Sequence, residues 1–231
     1  EIGTMINLND YGEICKSNNA LFHSDTVQTI GHYDLDLSNT KIDFITCSAH
    51  KFHGPKGVGF IYVKNGKNLV PLIEGGSQER GLRGGTESVH NIAGLKKAFE
   101  LSYNSLKKDS NDVLNIKEHF INSIKKSIPN IKINGNSSKD NSSYTILNLC
   151  LPISVEKKTL LNFKLDLAGI ACSGGSACQS GSNKPSHVLS EILSDSEMEK
   201  ISLRFSFSKF NTIKEVEYVV DFLGKFIDEN N

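Results

Sequence analysis

Apolar and polar positions along the chain alternate between helical and extended periods. From Leu8 to Asn19 the sequence tolerates a helix, and Leu21–Asp25 (LFHSD) then reads as a short strand that ends on a carboxylate. Ile42–Thr46 (IDFIT) is a second strand that runs into Cys47-Ser48-Ala49-His50-Lys51, and Gly57–Val63 (GVGFIYV) is a third β-rich run between Gly-Pro and Asn-Gly punctuation. Residues 74–88 (EGGSQERGLRGGTES) are too rich in glycine and polar groups to be core and are expected to form a loop. Helical character follows from about Val89 to Ile128, with an expected break near Lys107–Asp112 and a buried face at Ile121, Ile124 and Ile128. Ile131–Asn134, Tyr144–Leu151 and Ile201–Ser208 read as strands, and Lys157–Ala168 as a helix with Leu161, Leu165 and Ala168 on one stripe. The last helix is the clearest periodic segment, because Val216, Val219, Val220, Leu223 and Ile227 follow the i, i+3, i+4, i+7 pattern. Asn134–Ser143 (NGNSSKDNSS) has the composition of a solvated turn.

This alternation favours an α/β fold with polar groups gathered where strands give way to loops. At 231 residues the chain exceeds what most single hydrophobic cores need, so two lobes are expected, divided as 1–105 and 106–231. The 26 basic side chains balance the 26 acidic ones, so nothing marks a polyanion-binding surface and nucleic acid is not an expected partner. No apolar stretch approaches the ~18 residues of a membrane span, and Glu1 opens with neither a basic nor an apolar leader region, so a cytoplasmic protein is expected. The five cysteines are odd in number and lack paired CxxC spacing, which disfavours a disulfide framework and a structural zinc site; no metal is expected. Cys15, Cys47 and Cys150 read as small buried hydrophobes and Cys172 as structural.

Four segments carry candidate chemistry. SAHKFHGPKG places Ser48, His50 and Lys51 just after an apolar strand. Taken alone it permits a solvated lysine and a loop histidine; a nucleotide phosphate loop is excluded, since GPKGVG lacks the GxxxxGK[ST] spacing. Together with HSDTVQTIG upstream, the segment resembles the signature of fold-type I pyridoxal-phosphate (PLP) enzymes of the class V aminotransferase group. CSGGSACQSG, residues 172–181, sets Cys178 in a Gly/Ser-rich loop expected to be exposed, and resembles the catalytic loop of the NifS-like (group I) cysteine desulfurases, continued in SNKPSHVL. ISLRFSFSKFN puts Arg204 among apolar strand neighbours, where a guanidinium needs a partner to offset its desolvation. GLRGGTESVHNIAG, read by itself, is only a glycine-rich loop with Arg83.

The resemblance implies part of a PLP-transferase large-domain sheet followed by a smaller α/β C-terminal domain that carries the cysteine loop. It implies that Lys51 forms the Schiff base, Asp25 pairs with the pyridine nitrogen, Gln28 hydrogen-bonds the phenolic oxygen, and Ser48 and His50 hold the phosphate. It further implies that Arg204 grips the α-carboxylate of L-cysteine, that Cys178 takes the sulfur as a persulfide, and that Thr86 reaches the PLP phosphate of the other protomer in a homodimer. The expected activity is conversion of L-cysteine to L-alanine, with sulfur passed to an acceptor protein of iron–sulfur assembly or tRNA thiolation. Another class V aminotransferase, a selenocysteine lyase, or a catalytically incompetent piece are the alternatives. Glu1-Ile2-Gly3 matches the middle of the family's Asn-Asn-Glu-Ile-Gly turn, so the chain is expected to be the C-terminal portion of a longer protein and to bind PLP poorly alone.

Overall fold

The computed structural model describes residues 1–64, 69–136, 142–174 and 186–230. They fall into two compact units, Ile6–Lys108 and Glu1–Met5 with Asp109–Asn231. The sequence-based division at 105/106 keeps residues 1–5 with the first unit; in the structure Gly3 O accepts from Ser143 N at 2.6 Å and Thr4 bridges Ser142, which tie them to the second.

In the first unit, α1 (Leu8–Ser17) starts at Asn7, whose side chain accepts from Asn9 N at 3.0 Å, and leads into β1 (His23–Asp25). β1 pairs in parallel with β2 (Phe44–Ser48), which pairs antiparallel with β3 (Gly59–Val63), giving the order β1-β2-β3. Along β2 the side chains alternate, Ile45 and Cys47 buried and Thr46 and Ser48 half-buried, so one face enters a core that also holds Phe22, Ile30, Ile42, Ala49, Phe52 and Ala98. Gly59 is opposite Ser48, and a Cβ there would lie 2.1 Å from Cys47 O, so the β2–β3 ladder closes only over a glycine at this position.

α2 (Val89–Ser127) runs unbroken for 39 residues, and the boundary between the units falls within it. The break expected near Lys107–Asp112 is therefore absent. That stretch holds no Gly or Pro, Asp109 pairs with Lys209 at 2.8 Å, and the buried faces before and after it (Ala98, then Val113, Ile116 and Phe120) carry the helix across a weak local propensity.

The second unit is an antiparallel sheet in the order β4 (Lys132–Ile133), β5 (Ile146–Ser154), β6 (Lys200–Ser206), with α3 (Lys158–Leu167), α4 (Asp195–Met198) and α5 (Ile213–Asn230). Every residue from Leu147 to Leu151 is buried, so β5 is covered on both faces. Its register with β6 shifts between Cys150 and Ser154, where Pro152 has no N–H to give the ladder. Phe120 meets Phe205 edge-on at 4.9 Å, and Leu161, Leu165, Val216, Val220, Leu223 and Ile227 close the core. α4 was not foreseen from periodicity; its start is a capping box of Ser194 and Glu197. Among the described residues no helix is long and apolar enough to cross a membrane.

Candidate functional site

Parallel pairing puts the carboxyl ends of β1 and β2 side by side, the edge of an α/β sheet where ligands bind. Asp25 closes β1, Ser48 closes β2, and the 3₁₀ turn Ala49–Phe52 that carries His50 and Lys51 begins at the next residue. Asp25 is exposed; its Oδ1 accepts from Val27 N at 2.9 Å, an Asx turn that sets the start of the following segment, where Gln28 is also exposed. Buried Thr26 anchors that corner, its hydroxyl donating to Thr46 O at 2.7 Å.

Sequence order alone would leave the Lys51 turn loosely held. Phe52 is buried to 1% and packs over Gly31, where a Cβ would come within 2.6 Å of Phe52 Cβ; Gly31 has φ +79, so this corner needs glycine on both counts. The turn ends on His53 in the left-handed region (φ 67), and Gly54 N returns to Ala49 O at 2.9 Å. Nε2 of His32 lies 2.9 Å from Lys51 O; a carbonyl only accepts, so that ring nitrogen carries the proton. Burial holds the His32 imidazole below its usual range, and His53 acts in the same direction. Lys51 is half-buried and His50 exposed, while Thr86 is exposed on the loop that precedes α2.

Arg204 belongs to the second unit. On β6 it alternates with buried Leu203 and Phe205, faces Asn148 of β5 on one side, and on the other exchanges backbone hydrogen bonds with Ser173, at 2.6 Å and 3.1 Å. Its surroundings are polar and buried: Asn148 accepts from Asn134 Nδ2 at 2.9 Å, Asn134 also reaches Ser202 at 3.0 Å, and Ser186 donates to Glu1. Arg204 Nε is buried with no hydrogen-bond partner among the described residues, as is Glu1 Oε2. An orphaned guanidinium N–H suits a ligand carboxylate. Cys178 lies outside the described residues; Ser173, which precedes its segment, pairs with Arg204. Cys172 is half-buried against the core, and burial pushes its thiol up to about 11.

Thr26, His32, Asn134 and Asn148 were missed in the sequence. The two asparagines, set in otherwise apolar strands, were the available signal; Thr26 and His32 had none, since each acts through one carbonyl distant in the chain.

A family profile described as "Aminotransferase class-V" matches residues 1–219. The chain belongs to that family. Cysteine desulfurase IscS of Clostridium botulinum (strain Hall) is 42% identical over 229 residues, which cover 99% of this chain and 57% of the relative. A solved structure titled NifS-like protein matches with a TM-score of 0.84 at 32% identity, over 99% of this chain and 58% of that one. SspA in complex with cysteine matches with a TM-score of 0.68 at 31% identity, over 92% of this chain and 57% of that one. The chain thus spans little more than half the length of these relatives. Class V enzymes are PLP-dependent, and the side chains of the strand-end group have the chemistry for such a cofactor: a carboxylate for a ring N–H, a hydroxyl for a phosphate and an amine for an aldehyde.

Proposed function

We propose that this class V chain is part of a PLP-dependent cysteine desulfurase that converts L-cysteine to L-alanine and carries the sulfur on Cys178 to an acceptor protein, of iron–sulfur assembly or tRNA thiolation. The observation that carries this reading is the gathering of Asp25, Ser48 and the Lys51 turn at adjacent carboxyl ends of two parallel strands. The 42% identity to a cysteine desulfurase supports it.

In this reading Lys51 holds the cofactor, Asp25 pairs with its pyridine nitrogen, Gln28 with its phenolic oxygen, and Ser48 and His50 with its phosphate. Thr86 reaches the phosphate of the other protomer in a cytoplasmic homodimer. PLP, once bound, supplies an electron sink for the substrate Cα–H bond. Lys51, freed as an amine, moves that Cα proton. Arg204 fixes the substrate α-carboxylate through a bidentate fork, which its unpartnered Nε supports. The Cys178 thiolate attacks the substrate sulfur: a S–S bond forms, the substrate C–S bond breaks with its electron pair left on the three-carbon fragment, and that fragment takes a proton to leave as alanine.

Two variants test this. After incubation with PLP and borohydride reduction, peptide mapping is expected to find the phosphopyridoxyl group on Lys51, and none there in Lys51→Ala. Cys178→Ala is expected to keep the adduct and lose at least ~100-fold in persulfide and alanine formation, the scale of removing a nucleophile. Alanine formation unchanged in Cys178→Ala would overturn the desulfurase assignment in favour of another class V activity.

A further inference from the structure

We propose that His32 is a positioning residue for Lys51: its Nε2–H bond to the Lys51 carbonyl sets the backbone of the turn from which the cofactor lysine projects. The proposal rests on the reading that Lys51 carries PLP.

The reason lies in how the chain leaves the sheet. After Ser48 the strand pairing ends with one more bond, Ala49 N to Val58 O at 3.0 Å, and the 3₁₀ turn Ala49–Phe52 is a single tight turn, a geometry with poorer internal hydrogen bonds than an α-helix. A side chain on such a turn points wherever the turn happens to tilt. Two contacts from one segment remove that freedom on either side of the Lys51–Phe52 peptide. Gly31 seats Phe52 from below, and His32 takes the Lys51 carbonyl at 2.9 Å.

The Gly31–Tyr33 segment is itself held. The Tyr103 hydroxyl on α2 donates to Tyr33 O at 3.4 Å and interacts with the Gly31 backbone, and burial pushes this phenol up, so it stays a donor. Tyr103 stacks tilted on Phe99 at 4.5 Å, and Phe99 meets Phe52 edge-on at 6.2 Å. The support therefore closes on itself, from the corner after β1, through His32 to the Lys51 turn, through Phe52 and Phe99 to Tyr103, and back to Tyr33. Within it His32 is the member that bonds the lysine's own residue. Burial favours the neutral form of this half-buried ring, His53 acts in the same direction, and the hydrogen bond to the Lys51 carbonyl acts in the opposite one.

The test measures the rate at which Lys51 becomes trapped. Condensation of the Lys51 amine with the aldehyde of PLP expels water, and borohydride then fixes the C=N bond as a secondary amine that mass spectrometry maps. At limiting PLP, and well below the unfolding temperature read by circular dichroism, His32→Ala is expected to slow trapping at Lys51 about fivefold, the scale of one hydrogen bond. His32→Gln, which keeps a neutral N–H donor, is expected to restore most of the rate. Ile42→Val, a trim of the fully buried Ile42 of the same core, is expected to lower stability without changing the rate. Trapping in His32→Ala at the parent rate overturns the positioning role, as does a loss shared equally by Ile42→Val. No adduct on Lys51 in the parent overturns the functional reading itself, and this role with it.

Discussion

Single residues in this chain are decided by what surrounds them rather than by type. Cys47 and Cys172 have the same chemistry as Cys178, yet burial pushes both thiols up to about 11. A thiol acts as a nucleophile only as thiolate, so near neutral pH both are protonated and inert. Iodoacetamide is expected to leave Cys47 and Cys172 unmodified in the folded protein near neutral pH, with labelling rising only as pH approaches that value and becoming complete in denaturant. Peptide mapping reads this directly; fast neutral-pH labelling of Cys172 would show that its thiol is not held up by burial. Cys150 is buried like Cys47, as its apolar strand neighbours imply, whereas Cys15 is half-exposed at the edge of the first core. Glycines show the same dependence: nothing in the run GVGFIYV marks Gly59 as the position where a Cβ would strike the Cys47 carbonyl.

Elements with a strong period were legible from the sequence. Of the face its spacing announces, α5 buries Val216, Val220, Leu223 and Ile227 and leaves Val219 half-buried, and it adds Phe226. Leu223 is fully buried, so Leu223→Ala is expected to cost the second unit about 2–5 kcal/mol in denaturant unfolding, through lost transfer energy and the cavity left behind. A loss under about 1 kcal/mol would mean that α5 is not integral to that core. Strands were legible to within a residue or two at most ends; β5 was least so, running on three residues past the expected Leu151 to Ser154, and β1 starts two residues late because Leu21 is 63% exposed and outside the ladder. α2 was misjudged for the opposite reason. Lys107–Asp112 is locally polar, but a helix is interrupted by a missing N–H or a forced φ, not by polarity, and packing on both sides outweighs a few weak formers.

At the scale of the whole molecule the buried apolar side chains of the described residues form two cores, and none of them belongs to both. Ile45 is buried in the first and Leu203 in the second. Native-state hydrogen exchange is expected to show Ile45→Ala raising exchange at β2 amides while β5 amides keep their protection, and Leu203→Ala doing the reverse. Joint deprotection by either variant would show one cooperative unit instead. What the sequence by itself determined is the order of strands and helices, the α/β class and the segments around Asp25, Lys51, Cys178 and Arg204, because periodicity and short-range motifs depend on residues close in the chain. What only the tertiary structure decided is which of these segments meet. Parallel pairing of β1 with β2 brings Asp25 beside the Lys51 turn, and β6 pairing with Ser173 joins Arg204 to the chain that leads toward Cys178. It also decided that His32 supports Lys51, since a hydrogen bond to a main-chain carbonyl nineteen residues away leaves no trace in the identity of the residue that accepts it.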